Sequence, residues 1–122
     1  MQMNKILVIE DQKVQASLIT FSLESQGYEA ITVESGEEAL VVLEDHDIAL
    51  ITLDINLNGM NGLQFLSLIK ASEEHKNIPI IIISGLKQKS NINKAKELGA
   101  NAYVLKPIVF TKFISIVKAC LQ

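Results

Sequence analysis

Asp54 closes an apolar run, Ile48 to Leu53, and opens a stretch rich in asparagine and glycine, Asn58-Gly59-Met60-Asn61-Gly62. A run so continuously apolar reads as a strand buried on both faces, and its carboxyl end is where open α/β sheets place ligands. The pattern recurs three more times: Ile6-Leu7-Val8-Ile9 ends in Glu10-Asp11, Ile80-Ile81-Ile82-Ile83 ends in Ser84-Gly85, and Ala102-Tyr103-Val104-Leu105 ends in Lys106-Pro107. Where these ends meet, three carboxylates share one cleft. Two unit charges about 4 Å apart repel by roughly 4 kcal/mol at an effective dielectric near 20, so such a cleft recruits cations. The candidates are the Lys106 ammonium and a hard divalent ion on oxygen ligands, Mg2+ first, with Mn2+ possible. A carboxylate beside such an ion can attack phosphorus, because the cation cancels its repulsion from an anionic phosphoryl group. Asp54 would then become an aspartyl phosphate, with Lys106 neutralising one phosphoryl oxygen and the Ser84 hydroxyl donating to another. Singly, each residue has a plainer role: a solvated acid pair, a turn serine, a surface lysine. Five suitable residues closing four strands of one sheet are harder to assign to chance.

The elements that must bring these ends together follow from the periodicity. After the first strand, Val14, Leu18, Phe21 and Ser25 recur at helical spacing, with Ile19 and Leu23 widening the apolar face, until Gly27 ends the helix. Ala30 to Val33 forms a second strand, and Ser35 or Gly36 opens a helix that turns Ala39, Leu40 and Leu43 inward. Asn61 is the N-cap of a third helix that begins near Leu63 and buries Leu63, Leu66 and Ile69. The four isoleucines after Pro79 make a strand by β-branching. Ile92, Ala95 and Leu98 mark a short helix closed by Gly99, and Phe110, Ile114, Val117 and Leu121 line the last one. Five strands alternating with five helices predict an α/β, flavodoxin-like (βα)5 three-layer sandwich. Its parallel five-stranded sheet has order 2-1-3-4-5, with the less apolar second and fifth strands at the edges. In that order the first and third strands are adjacent at the topological switch point, which juxtaposes Glu10, Asp11 and Asp54.

The bulk composition narrows the function. The 122 residues are the size of one domain, 1–122, and 48% hydrophobic content supplies a core. A net charge of -3 offers no basic stripe, so direct nucleic-acid binding and membrane attachment are not expected. The single cysteine, Cys120, excludes an internal disulfide, fits a reducing cytoplasm, and reads as an inert core residue of the last helix. The amino terminus is too short in apolar residues for a secretory signal. His46 and His75 fall in polar loops and are expected in solvent.

The chain resembles the receiver domain of two-component response regulators over essentially its whole length. The matching segments are I-L-V-I-E10-D11, L-D54-I-N-L-N-G-M-N-G62, I-I-I-S84-G and E-L-G99-A-N-A-Y103-V-L-K106-P107. The resemblance implies Asp54 as phosphoacceptor, Asp11 and Asp54 as direct metal ligands, the main-chain carbonyl of Asn56 as a further ligand, and Glu10 acting through water. It also implies a cis Lys106-Pro107 bond and Tyr103 as a switch aromatic working with Ser84. The implied partners are a histidine kinase or phosphotransfer protein that donates from phosphohistidine, and a downstream protein or output domain that senses the altered surface. The result is a signalling switch, not a turnover enzyme, with Mg-dependent self-phosphorylation and slow autodephosphorylation. Three positions depart from the family pattern: Asn58 stands where proline is usual, Glu10 where aspartate is common, and the apolar Leu86 lies beside the path of a hydrolytic water. With Asn56, Leu86 bears on how long the phosphoryl group survives.

Competing functions fit the residues less well. A flavin mononucleotide carrier needs phosphate donors in its first loop, where Glu10-Asp11 repels. A phosphatase of the haloacid dehalogenase type carries a second aspartate as general acid, where this chain has Asn56. No G-x-x-x-x-G-K-[ST] loop occurs. The remaining alternative is a phosphorylation-independent pseudo-receiver acting as a protein interaction scaffold.

Overall fold

The computed structural model describes residues 4–55, 61–85 and 89–122. Its strands are β1 (Lys5–Ile9), β2 (Glu29–Val33), β3 (Leu50–Asp54), β4 (Ile80–Ser84) and β5 (Ala102–Leu105). They pair in parallel as β2-β1-β3-β4-β5, the order expected from the sequence. Every residue of β3 and β4 is buried, whereas edge strands β2 and β5 are mostly half-buried, which is why the central runs are the more continuously apolar.

The helices are α1 (Lys13–Ser25), α2 (Gly36–Asp45), α3 (Gly62–Ala71), α4 (Lys89–Glu97) and α5 (Phe110–Leu121). Alternation along each strand splits the core in two. Leu7, Ile9, Ile51, Leu53, Ile80 and Ile82 pack with α2, α3 and α4 through Ala39, Leu43, Phe65, Leu66, Ile69 and Ala95. Ile6, Val8, Leu50, Ile81, Ile83 and Val104 pack with α1 and α5 through Ile19, Leu23, Phe113 and Val117. The fold is the flavodoxin-like three-layer sandwich. Among the described residues no helix is long and apolar enough to cross a membrane.

One helix turns a different face inward from the one its periodicity suggests, and in a second the expected face is rotated slightly. In α1 the buried residues are Ala16, Ile19 and Leu23, while Val14, Leu18 and Phe21 stand 76%, 50% and 62% exposed. The helix carries two apolar stripes, and periodicity alone does not choose between them. The choice falls to the short connection through Gln12, which sets the rotation with which α1 leaves β1 and brings the small Ala16 against the sheet. In α5 the stripe is centred on Phe113 and Val117, with Phe110, Ile114 and Leu121 only partly covered. His46 is exposed as expected, but His75 is half-buried and sits 3.3 Å from the Ser72 hydroxyl. Cys120 is partly buried, and that burial raises its thiol pKa, consistent with an inert side chain.

Candidate functional site

The sheet is extended by one backbone hydrogen bond beyond several strand ends, and these bonds fix the site residues. The Glu10 amide donates to the Val33 carbonyl at 3.0 Å, the Ile55 amide to Ile83 at 3.1 Å, and the Lys106 amide to Ser84 at 2.8 Å. Strand parity then sorts the side chains. Glu10 follows Ile6 and Val8, Asp54 follows Leu50, and Lys106 follows Val104, all on the α1/α5 face. Ser84 follows Ile80 and Ile82 on the opposite face, which it shares with Tyr103.

Lys106 starts two strands away from Asp54, roughly 10 Å at the usual strand spacing, so only a long side chain spans the gap. Its ammonium donates to Asp54 Oδ2 at 3.0 Å and lies 3.8 Å from Glu10 Oε1. The Lys106-Pro107 bond is cis, as the resemblance implies. Glu10 and Asp54 are buried, at 1% and 3% exposure, and Asp11 is half-buried. One oxygen from each of the three carboxylates lies within 4.8 Å of the others. Burial, with a hydrogen bond to Asp54 and that residue's charge, pushes Glu10 up to about 7, against the opposing pull of the Gln12 amide and Lys106. Glu10 Oε2 accepts from the Gln12 amide at 3.2 Å, whereas buried Oε1 makes no hydrogen bond among the described residues.

This donor set suits a hard divalent cation: three carboxylates, one of them with a buried oxygen whose lone pairs are unused among the described residues. Ser84 is fully buried beside Ile83, the register partner of Asp54, and its hydroxyl donates to the Gly85 carbonyl at 3.1 Å. Tyr103 lies outside the cleft, half-buried against the α2/α3/α4 core, with the Lys96 ammonium 5.6 Å from its ring centroid. Asn56, Asn58 and Leu86 lie outside the described residues.

Two supporting features were not expected from the sequence. Gly62 packs directly behind the site: a Cβ there would stand 2.7 Å from Ile55 Cα and 3.0 Å from the Asp54 carbonyl oxygen. Its amide donates to Ile55 O at 3.2 Å, and the preceding Asn61 caps the start of α3 with a reciprocal capping box to Gln64. The only sequence signal was a glycine immediately after the N-cap. At the opposite edge of the sheet, Lys70 donates to the carbonyls of Lys76 and Ile78, both at 3.2 Å, and to Asn101 Oδ1 at 3.3 Å. The same Asn101 oxygen accepts from the Ile80 amide at 2.9 Å, joining the starts of β4 and β5.

A doubly wound sheet with a carboxylate cluster and a lysine at its switch point defines the class as an α/β domain with an acidic cleft. The model of the response regulator receiver domain matches residues 6–118, and the chain belongs to that family. It is 33% identical over 116 residues to the polar-differentiation response regulator DivK of Brucella ovis, covering 95% of this chain and 94% of that one. The receiver domain of NtrX from Brucella abortus superposes with a TM-score of 0.90 at 30% identity, over 95% of this chain and 97% of that one. The receiver domain of sensor histidine kinase PA1611 from Pseudomonas aeruginosa PAO1 gives 0.89 at 25% identity, over 98% of each chain, and holds a magnesium ion in its active site cleft.

Proposed function

We propose that Asp54 accepts a phosphoryl group from a phosphohistidine on a histidine kinase or phosphotransfer protein and that the modified domain presents an altered surface to a downstream partner. The observation that carries this is the Lys106 ammonium 3.0 Å from Asp54 Oδ2, within a cluster of three carboxylates. A divalent ion, Mg2+ or Mn2+, would be held by Asp11, Asp54, the main-chain carbonyl of Asn56 and, through water, Glu10. It supplies positive charge that lets two anions approach. Asp54 is the nucleophile: a carboxylate oxygen bonds to phosphorus, the phosphorus–nitrogen bond of the donor breaks, and the leaving imidazole takes a proton. Lys106 moves its charge from the free carboxylate to a phosphoryl oxygen, and the Ser84 hydroxyl turns from the Gly85 carbonyl toward another. Ser84 and Tyr103 share a sheet face, so a shift after β4 opens space for the Tyr103 ring, and the surface around α4, β5 and α5 changes with it.

Intact mass after incubation with a small phosphodonor and Mg2+ tests this: the wild type gains one phosphoryl group and Asp54→Asn gains none. An unchanged gain in Asp54→Asn moves the acceptor elsewhere. No gain in the wild type, with either a small donor or a phosphorylated histidine protein, leaves the phosphorylation-independent scaffold as the function.

A further inference from the structure

The stripe that α1 leaves in solvent is self-complementary, and we propose that it pairs with the same stripe of a second copy, α1 against α1 in antiparallel orientation. Val14, Leu18 and Phe21, the most exposed large apolar residues of α1, lie within about 60° of one another around the helix at 100° per residue. The patch continues across a groove of about 710 Å³ onto α5, where Phe110 and Ile114 line the far wall and Lys118 is the one charged residue.

The occupant is indicated by charge. Lys13 and Glu24 stand about three turns apart on a single flank of α1, both exposed, and neither has an ion-pair partner among the described residues. A two-fold axis beside Leu18 and perpendicular to the helix keeps each flank on its own side while reversing the helix direction. Lys13 of each copy then faces Glu24 of the other, Leu18 meets Leu18, and Val14 packs near Phe21. Between these two charges α1 carries none, the exposed positions being Val14, Ser17, Leu18 and Phe21, so this pairing leaves no charge buried without a partner. One helix face is well short of the ~800 Å² per partner of a standard interface, so the pairing is weak and concentration-dependent.

Sedimentation equilibrium of the intact chain across a concentration series should show a monomer–dimer transition. Phe21→Ser, whose side chain already lies in solvent, should remove it over the same range. Lys13→Glu or Glu24→Lys alone should raise the dissociation constant about threefold or more, and the double exchange Lys13→Glu/Glu24→Lys should restore it to within about twofold. That restoration is specific to antiparallel self-pairing. A chain monomeric throughout the series overturns the proposal, and so does a dimer that the Phe21 and charge variants leave unchanged. If the variants slow phosphoryl transfer from a phosphohistidine protein while the chain stays monomeric, the stripe docks the donor and the second-copy assignment is wrong. Mass gain at Asp54 is read separately, so its failure is distinguishable from failure of the dimer.

Discussion

With Glu10 buried against Asp54 and titrating near 7, the metal-free cleft is half-neutralised by a proton as well as by Lys106. The folded carboxyl keeps its proton in a window, from about 4.5 to 7, where the unfolded one has lost it. The folded state binds more protons there, so the metal-free protein should lose on the order of 3 kcal/mol of stability as pH rises through that window. Urea denaturation in chelator at pH 5 and 7.5 measures the loss, which Glu10→Gln should flatten. A stability that rises over the same interval in wild type would contradict the burial of Glu10. A second residue acts by having no side chain. Because a Cβ on Gly62 would press on Ile55 and the Asp54 carbonyl, Gly62→Ala should cost about 1–3 kcal/mol and weaken Mg2+ binding, seen by calorimetry. A variant with unchanged affinity and midpoint would show that the backbone yields there without cost.

Between elements, the strand starts and the strand interior each contain a polar group whose partners decide its effect. Lys70 and Asn101 serve the backbone of the turns into β4 and β5, and burial lowers the lysine's pKa without removing its role as a donor to three oxygens. Lys70→Met leaves two carbonyls and Asn101 without that donor and should destabilise by about 1–3 kcal/mol while sparing phosphorylation at the opposite edge. Thr52 presents the reverse case: its hydroxyl is buried in β3 between Val8 and Ile81 and has no hydrogen-bond partner among the described residues. Thr52→Val keeps the shape and removes the unsatisfied group, so the midpoint of denaturation should rise by the equivalent of about 1 kcal/mol. A fall would reveal a bonded hydroxyl.

At the scale of the whole molecule, the proposed coupling between the cleft at one edge and the Tyr103 surface is limited to the difference in phosphoryl contacts between two states, typically 1–3 kcal/mol. Ser84→Ala should therefore still accept phosphate at Asp54 yet lose much of the chemical-shift change at Tyr103 and along α4. Full retention would mean that another route links site and surface. Much of this protein was legible in its residues alone. Strand number, order and the identity of the strand-end groups follow from local signals: apolar runs of strand length, glycine and asparagine at the turns, and acids, serine and lysine where the runs stop. Those signals depend on neighbours in the chain, and a parallel sheet aligns every carboxyl end regardless of detail. The tertiary structure decided what depends on distance between residues remote in sequence. It chose Ala16, Ile19 and Leu23 over Val14, Leu18 and Phe21 as the buried face of α1, because helix rotation is set by the β1 connection and not by periodicity. It set the protonation of Glu10 by burial, pressed Gly62 against Ile55, and made Asn101 the junction of two strands, none of which has a local pattern to announce it.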